Sequence, residues 1–399
     1  METLHFASGT VILADRLLPS GSVTVVGNRI TAVGHGPPSG TTVVDLNGGY
    51  LAPGFVDLHV HGGDGADFMD GTADAFRTAC RAHARHGTTS LLPTSTVARH
   101  DQLLSFLHLC RELKHAGTGG ARILGAHFYG PYFGPDAKGA HPGAHLRSPV
   151  PEEYDRYLEY ADAIVTATVA PELPGAEAFV RACRERGIVC NAGHSHATFA
   201  QMEAAVGWGV RHVDHLFCAM SDRARLRLTQ GFPMRGGVLE ATLYFDELTT
   251  EVISDGHHLE RDLLLLAYKT KGRDRLALVT DCNRALDVPD GPSVMGPLDG
   301  GEPIQKRNGV GLMPDGKSLA SSVVGMDHCV RTFYRRTGVP LNDVVRMASL
   351  TPARIAGRDS EIGSIDVGKL ADLVVLTPEL EVADVYASGR LICRQGTNR

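Results

Sequence analysis

Phe55-Val56-Asp57-Leu58-His59-Val60-His61 decides the reading of this chain. Asp57 aside, the segment is an apolar strand that closes with two histidines one residue apart. Side chains at i and i+2 of a strand point the same way, so both imidazoles project from one face and can share one ion. Pro53-Gly54 sets the entry to the strand. Gly62-Gly63-Asp64-Gly65 ends it and is expected to leave open space above the histidines. A lone His-x-His is more often a packed or exposed pair than a ligand pair. The rest of the chain must supply ligand-type residues at other strand ends.

Downstream of this segment, strands alternate with helices. Residues 72–86 read as a helix with Phe76, Ala79, Cys80 and Ala84 on one stripe, stopped at Gly87. Further strands are expected at 89–93, 123–128, 163–169, 188–192, 211–214, 251–254 and 276–280. Helices are expected near 101–115, 175–186, 198–206, 259–269, 327–337 and 341–349. Eight strands linked by helix-sized segments are what a (β/α)8 TIM-like barrel requires. Residues 1–52 carry a different texture. Residues 9–13, 22–26, 29–33 and 41–46 are β-branched runs separated by Gly, Pro and Asn turns, and Gly27-Asn28 suits a tight hairpin. The same texture returns at 371–376, 382–386 and 390–393. The expected class is therefore α/β. Residues 53–350 form the barrel, and 1–52 together with 351–399 form a small β-sandwich domain from both termini.

Composition narrows the function classes. The 399 residues are 43% hydrophobic and 21% charged, with a net charge of −6 and no basic block, so nucleic-acid binding is not suggested. Eight cysteines are scattered without a C-x-x-C pair, which fits reduced thiols rather than a disulfide framework or zinc ribbon. No stretch is apolar enough to span a membrane. A cytoplasmic protein acting on a small molecule is the expectation.

Strand ends are where a barrel places catalytic groups. Reading only those ends gives His59 and His61 from the first strand, His194 after the fifth, His215 after the sixth and Asp281 after the eighth. Four imidazoles and one carboxylate on one rim describe a catalytic divalent site for Zn or Fe. Such an ion polarises a carbonyl and lowers the pKa of water, and an adjacent aspartate can carry the proton to a leaving amine. Hydrolysis at a carbonyl or amidine carbon is implied.

These motifs resemble the amidohydrolase superfamily and, within it, the N-acetylglucosamine-6-phosphate deacetylase family. The likeness covers nearly the whole chain. It rests on Pro53 through Gly62, Gly193-His194-Ser195, His215-Leu216-Phe217 followed by Ala219-Met220, Ser254-Asp255-Gly256-His257-His258, Val279-Thr280-Asp281, and Gly363-Ser364 through Leu373. The resemblance implies a barrel beside a terminal β-sandwich, a homodimer, and removal of an acetyl group from an N-acetylated amino sugar, with acetate leaving. It implies metal binding by His59, His61, His194 and His215, and Asp281 as acid/base at the metal. It places Tyr129, His141, Cys218, Ala219, Arg235 and His258 at the substrate.

Three positions depart from the family pattern. Tyr129, in His127-Phe128-Tyr129-Gly130-Pro131, stands where the family has a metal-ligating Glu. A phenol is a poorer ligand at neutral pH than a carboxylate, so one ion, zinc first, is expected rather than a bridged pair. Cys218 replaces an Asn beside the phosphate site. Arg223, Arg225 and Arg227 form a basic cluster expected in a loop, suited to a phosphate or carboxylate. An altered anion end leaves two alternatives. One is a hydrolase of another amide, a cyclic amide or an amino-heterocycle. The other is a non-catalytic homologue.

Overall fold

The computed structural model describes residues 2–229 and 231–395. Strands from the two termini pair into one eight-stranded sheet. Thr3–Ile12 and Leu17–Val26 pair antiparallel, and Arg29–Val33 extends that edge. The seam between the termini is Tyr50–Pro53 against Leu373–Leu376, in register from Leu373↔Pro53 to Leu376↔Tyr50. Val382–Ala387 and Arg390–Arg394 complete the other edge. Alternation serves both faces of the seam. Leu51, Leu373 and Val375 pack with Phe6, Val11 and Val23, whereas Ala52, Val374 and Leu376 pack with Phe55, Leu264 and Leu278. The sheet is thereby sealed onto the α/β body. Tyr50–Pro53 was not expected as a strand, because four residues ending in proline carry little β signal of their own.

Every strand expected between residues 55 and 280 is present and parallel. Phe55–Val60, Thr88–Pro93 and Arg122–Ile123 form one three-stranded sheet. Ala126–Phe128, Ile164–Val169, Val189–Ala192, Val210–Val213, Thr249–Ile253 and Leu276–Val279 form a six-stranded one, in chain order. The third expected strand is thus split at Leu124-Gly125 between the two sheets. Single bridges Thr94↔His127 and Val60↔Cys282 link the sheets' edges, so the eight strands follow one another around a ring.

Helices on the outside follow the expected stripes. Ala73–Arg85 is capped by Thr72, whose side chain accepts the Ala75 N–H, and it buries Phe76, Ala79 and Cys80 against Phe68 and Phe106. His100–Ala116, Ala176–Glu185, Phe199–Trp208, Arg261–Lys271, Met326–Thr337 and Leu341–Met347 lie at the expected places. Among the described residues, no helix is long and apolar enough to cross a membrane.

Two local expectations are corrected. Arg223–Thr229 is a helix, not a loop. The glycines after His61 do not open space. Gly62–Gly63 pairs with Ala66–Asp67, and a Cβ on Gly62 would meet the Ala66 carbonyl oxygen at 2.2 Å. Glycine is needed there for close backbone approach. A further antiparallel sheet, Gly291–Met295, Glu302–Arg307 and Val310–Leu312, follows the last ring strand and was not anticipated.

Candidate metal centre and active-site cavity

Asp57 fastens the first ring strand to the last. Its carboxylate accepts from Thr280 Oγ1 at 2.5 Å and from the Thr280 N–H at 3.2 Å. Beyond it, the Asp281 N–H donates to the His59 carbonyl at 2.8 Å, and the His61 N–H donates to the Cys282 carbonyl at 2.8 Å. Asp281 takes φ +46°, a left-handed conformation that turns its side chain back over the histidines. Its Oδ1 lies 3.2 Å from His61 Nε2 and 3.6 Å from His59 Nε2. The donor atoms of His59, His61 and Asp281 all lie within 4.8 Å of one another.

Burial makes this cluster chemically exacting. His59 and His61 are both 0% exposed. His59 Nδ1 donates to Glu251 Oε1 at 2.6 Å, so in the neutral ring Nε2 is the nitrogen that offers a lone pair toward Asp281. His59 Nε2, His61 Nδ1 and His61 Nε2 have no partner in the protein. Buried polar atoms are rarely left so. Two imidazole nitrogens beside a carboxylate fit a divalent cation, which would bind by displacing any proton they carry. Burial would lower the His59 pKa, but Asp281 and Glu251 outweigh it and lift the imidazole to about 9. Burial likewise opposes Asp281, but His59 and His61 hold its carboxyl well below the usual carboxylate range.

A second pair stands beside the first. His194 Nδ1 donates to the Ala137 carbonyl at 2.7 Å, and Phe133 stacks on its ring at 4.4 Å. Glu172 secures the turn behind it, accepting from Ser195 Oγ and the His196 N–H at 2.6 Å each. His215 Nε2 lies 3.2 Å from His194 Nε2 and 2.7 Å from the Tyr129 hydroxyl. His194 and His215 both have positive φ, +45° and +25°. Burial pushes the Tyr129 phenol well above its ordinary value, and nearby Asp214 and Asp281 add to the shift, so the phenol stays protonated.

The structure brings nearly all the residues singled out from sequence into one cavity of about 260 Å3. Its lining includes His61, Tyr129, His141, His194, His215, Cys218, Ala219, His258 and Asp281, with His59 buried beneath its floor. His258 Nδ1 is held by Asp255 Oδ2 at 2.8 Å. Burial lowers its pKa, and Asp255 more than compensates, raising it above the ordinary value. Arg235 is exposed and does not line the cavity. Arg223, Arg225 and Arg227 are exposed on their helix, and Arg225 donates to the Asp136 carbonyl at 3.1 Å.

Sequence reasoning overlooked the groups that hold this site. Glu251 is 1% exposed and joins His59 to His212, its Oε2 accepting from His212 Nε2 at 3.1 Å. Asp214 accepts from Thr168 Oγ1 and Asn191 Nδ2, both at 2.7 Å. A Cβ on Gly193 would fall 2.3 Å from Asp214 Oδ2, which explains the glycine before His194. The available signal was a carboxylate inside an otherwise apolar or β-branched strand, Thr249-Thr250-Glu251-Val252-Ile253. Such a group is excluded from a parallel core unless it is paired.

The chain matches the model of the Amidohydrolase family over residues 50–392. It is 33% identical over 350 residues to the N-acetylglucosamine-6-phosphate deacetylase of Vibrio furnissii, covering 87% of this chain and 84% of that protein. It is 32% identical over 355 residues to the N-acetylgalactosamine-6-phosphate deacetylase of Escherichia coli O157:H7, covering 89% and 90%. Its structure superimposes on a mutant N-acetyl-D-glucosamine-6-phosphate deacetylase from Mycobacterium smegmatis, in complex with N-acetyl-D-glucosamine-6-phosphate. The TM-score is 0.89, with 31% identity over 98% of this chain and 100% of that one.

Proposed function

The chain belongs to the amidohydrolase family, and from that premise we propose that it removes the acetyl group of an N-acetylated hexosamine 6-phosphate, N-acetylglucosamine-6-phosphate first, releasing the amine and acetate. The observation that carries the reading is the convergence of His59, His61 and Asp281 at a cavity whose other wall presents His258 and His141. The family depends on a divalent metal. His59, His61 and Asp281 would hold it, with zinc the first expectation, and His194 and His215 stand beside that position. A divalent ion there polarises a carbonyl and lowers the pKa of water.

The chain's own groups supply the rest. Asp281, ionised and beside the reacting carbon, accepts a proton from the attacking water and returns it to the departing amine. Glu251 fixes the His59 tautomer. His258, paired with Asp255, is the cation best placed to meet an anionic sugar substituent. Cys218 and Ala219 line the cavity beside it.

The wider organisation belongs to the same proposal. We read the ring of eight strands as a (β/α)8 barrel spanning 53–350. Residues 1–52 and 351–399 would be a terminal β-sandwich, of which 1 and 396–399 lie outside the described residues. A homodimer is supported by the exposed apolar side chains of Leu228, Phe232 and Met234, at 85%, 97% and 53%. A cytoplasmic setting is supported by eight unpaired cysteines.

The similarity to an N-acetylgalactosamine-6-phosphate deacetylase makes the sugar epimer the main open choice. Acetate release should be measured on both 6-phosphates, on unphosphorylated N-acetylglucosamine and on cyclic amides, before and after chelation. Fastest turnover on a 6-phosphate, abolished by chelation and restored by zinc, is expected. Faster turnover of an unphosphorylated amide would overturn the substrate.

A further inference from the structure

We propose that Met295 gauges the acyl group: the methyl of an N-acetyl substrate packs against its side chain, whose length confines turnover to short acyl groups. The inference rests on the hydrolase reading above and adds the residue that chooses which amide is cut.

Met295 reaches the cavity from the antiparallel sheet at 291–312, an element the chemistry does not otherwise use. It ends the strand Gly291–Met295, is 4% exposed and lines the cavity. Ser321 locates it relative to the reacting groups. Ser321 Oγ lies 3.3 Å from Asp281 Oδ1 and 3.6 Å from Met295 Sδ. A single hydroxyl thus spans the gap from the acid/base carboxylate to the thioether. Met295 stands beside the reacting carbon, not at the far rim.

The surroundings of the thioether are apolar. Met295 packs with Ala140, Ile304 and Ala320, and Leu319, next to Ala320, also lines the cavity. An N-acetylated hexosamine 6-phosphate carries hydroxyls, a phosphate and one methyl. Only the methyl gains by entering an apolar corner, since a hydroxyl or phosphate placed there would lose its hydrogen bonds. The methyl is also one bond from the carbonyl carbon that Asp281 serves. Distance and polarity therefore select the same wall.

The backbone at Met295 is clamped on both sides. Arg284 Nε donates to the Val294 carbonyl at 2.8 Å, and Arg284 Nη2 donates to the Gly296 carbonyl at 2.6 Å. Asp70 holds the guanidinium through contacts of 2.7 and 3.1 Å, and Asp67 Oδ2 accepts the Gly296 N–H at 3.1 Å. Arg284 belongs to the same segment as Asp281, so the stretch that carries the acid/base also fixes the depth of the wall. Methionine on that fixed backbone is unbranched and adaptable, which makes the limit graded rather than absolute.

The test is an acyl series on one amine: the 6-phosphates of N-acetyl-, N-propionyl- and N-butyrylglucosamine, with the full-length zinc-loaded protein. The parent is expected to prefer acetyl over butyryl by about 10²-fold in kcat/KM, the range for added methylenes in an apolar pocket. Met295→Ala removes the thioether and should narrow that ratio at least about tenfold, raising kcat/KM on butyryl while lowering it on acetyl. Met295→Leu conserves volume and should keep the ratio close to the parent's. A ratio between two acyl groups on one preparation does not depend on how much of it is folded. Met295→Val is the milder truncation, read in place of Met295→Ala if that variant does not fold, and should shift the ratio in the same direction. An unchanged ratio in the folded truncation, or a parent that cleaves butyryl as fast as acetyl, would overturn the proposal. A parent inert on all three sugars would overturn the sugar substrate alone. The acyl series is then built on the amine of the amide it does hydrolyse, and the same ratio decides the role of Met295.

Discussion

At the seam between the termini, Leu373, Val374, Val375 and Leu376 are all buried, and each faces a residue of Tyr50–Pro53. At the mouth of the strand ring, His59, His61, His141 and His215 are just as buried, yet each keeps a ring nitrogen without a partner. Among the described residues, no buried partnerless side-chain atom belongs to the terminal sheet. The sheet is complete in itself, because pairing and apolar burial meet every requirement of its residues. The mouth is complete only with something added. Asp281, His194 and His215 at the mouth hold left-handed backbone, as do Ser8 and Ser20 in the terminal sheet, so it is the unpartnered nitrogens and not backbone strain that separate the two regions. A region that lowers its own energy by folding serves stability. A region left with buried lone pairs serves a ligand.

Asp281→Asn gives the sharpest separation. Asparagine tolerates the φ of +46° and preserves shape, so the fold is retained while the ionised carboxylate is lost. Turnover should fall by about 10³-fold, within the range for loss of an acid/base group. The unfolding midpoint should move far less than in a core truncation, since side-chain volume and backbone are kept and only the carboxylate's pairing with His59 and His61 is weakened. A variant that loses stability and activity together would break the distinction drawn between the two regions.

Leu373→Ala should do the reverse. Leu373 is fully buried on the terminal-sheet face of the seam, and truncation leaves a cavity. Denaturant unfolding should show a loss of about 2–5 kcal/mol, with kcat of the folded enzyme unchanged. A fall in kcat would mean that the sheet does more than support the ring.

The smallest effect belongs to a charged junction outside both regions. His86 lies between Asp327 and Asp287, at 2.9 Å and 3.0 Å, and ties the end of Ala73–Arg85 to the start of Met326–Thr337. Burial lowers its pKa, but the two carboxylates raise it to about 9. A raised histidine contributes stability fully below its ordinary value of 6.5, and the contribution is lost as pH rises through about 9. Asp287 and Asp327 are held below the ordinary value of 3.8, so their contribution is lost only as pH falls below that. His86→Ala should therefore lower the melting temperature most between about pH 4 and 6.5, and the gap should close above pH 9. A gap independent of pH would assign His86 a packing role instead.

The sequence carried most of the scaffold. Phe55–Val60 is legible because an apolar run bounded by Pro53-Gly54 and Gly62-Gly63 has one reading, and the helix at Ala73–Arg85 because Thr72 and a 3.6-residue stripe mark it. The sheet at 291–312 was not legible, since its strands contain prolines and glycines and are short. Tyr50–Pro53 is a strand only because Leu373–Leu376 arrives beside it. Arg235 looked like a site residue by alignment with the family, but local order does not fix where an exposed segment points.

By itself the sequence determined the alternation of strands and helices and the placement of His59, His61, His194, His215 and Asp281 at strand ends, because periodicity and chain order are local properties. Tertiary structure alone decided which of those histidines offer a free lone pair. Glu251, 192 residues from His59, sets one tautomer, and Tyr129, 86 residues from His215, engages the other ring. A hydrogen atom's position on an imidazole depends on the partner that folding brings to it, and no neighbouring residue in the chain encodes that partner.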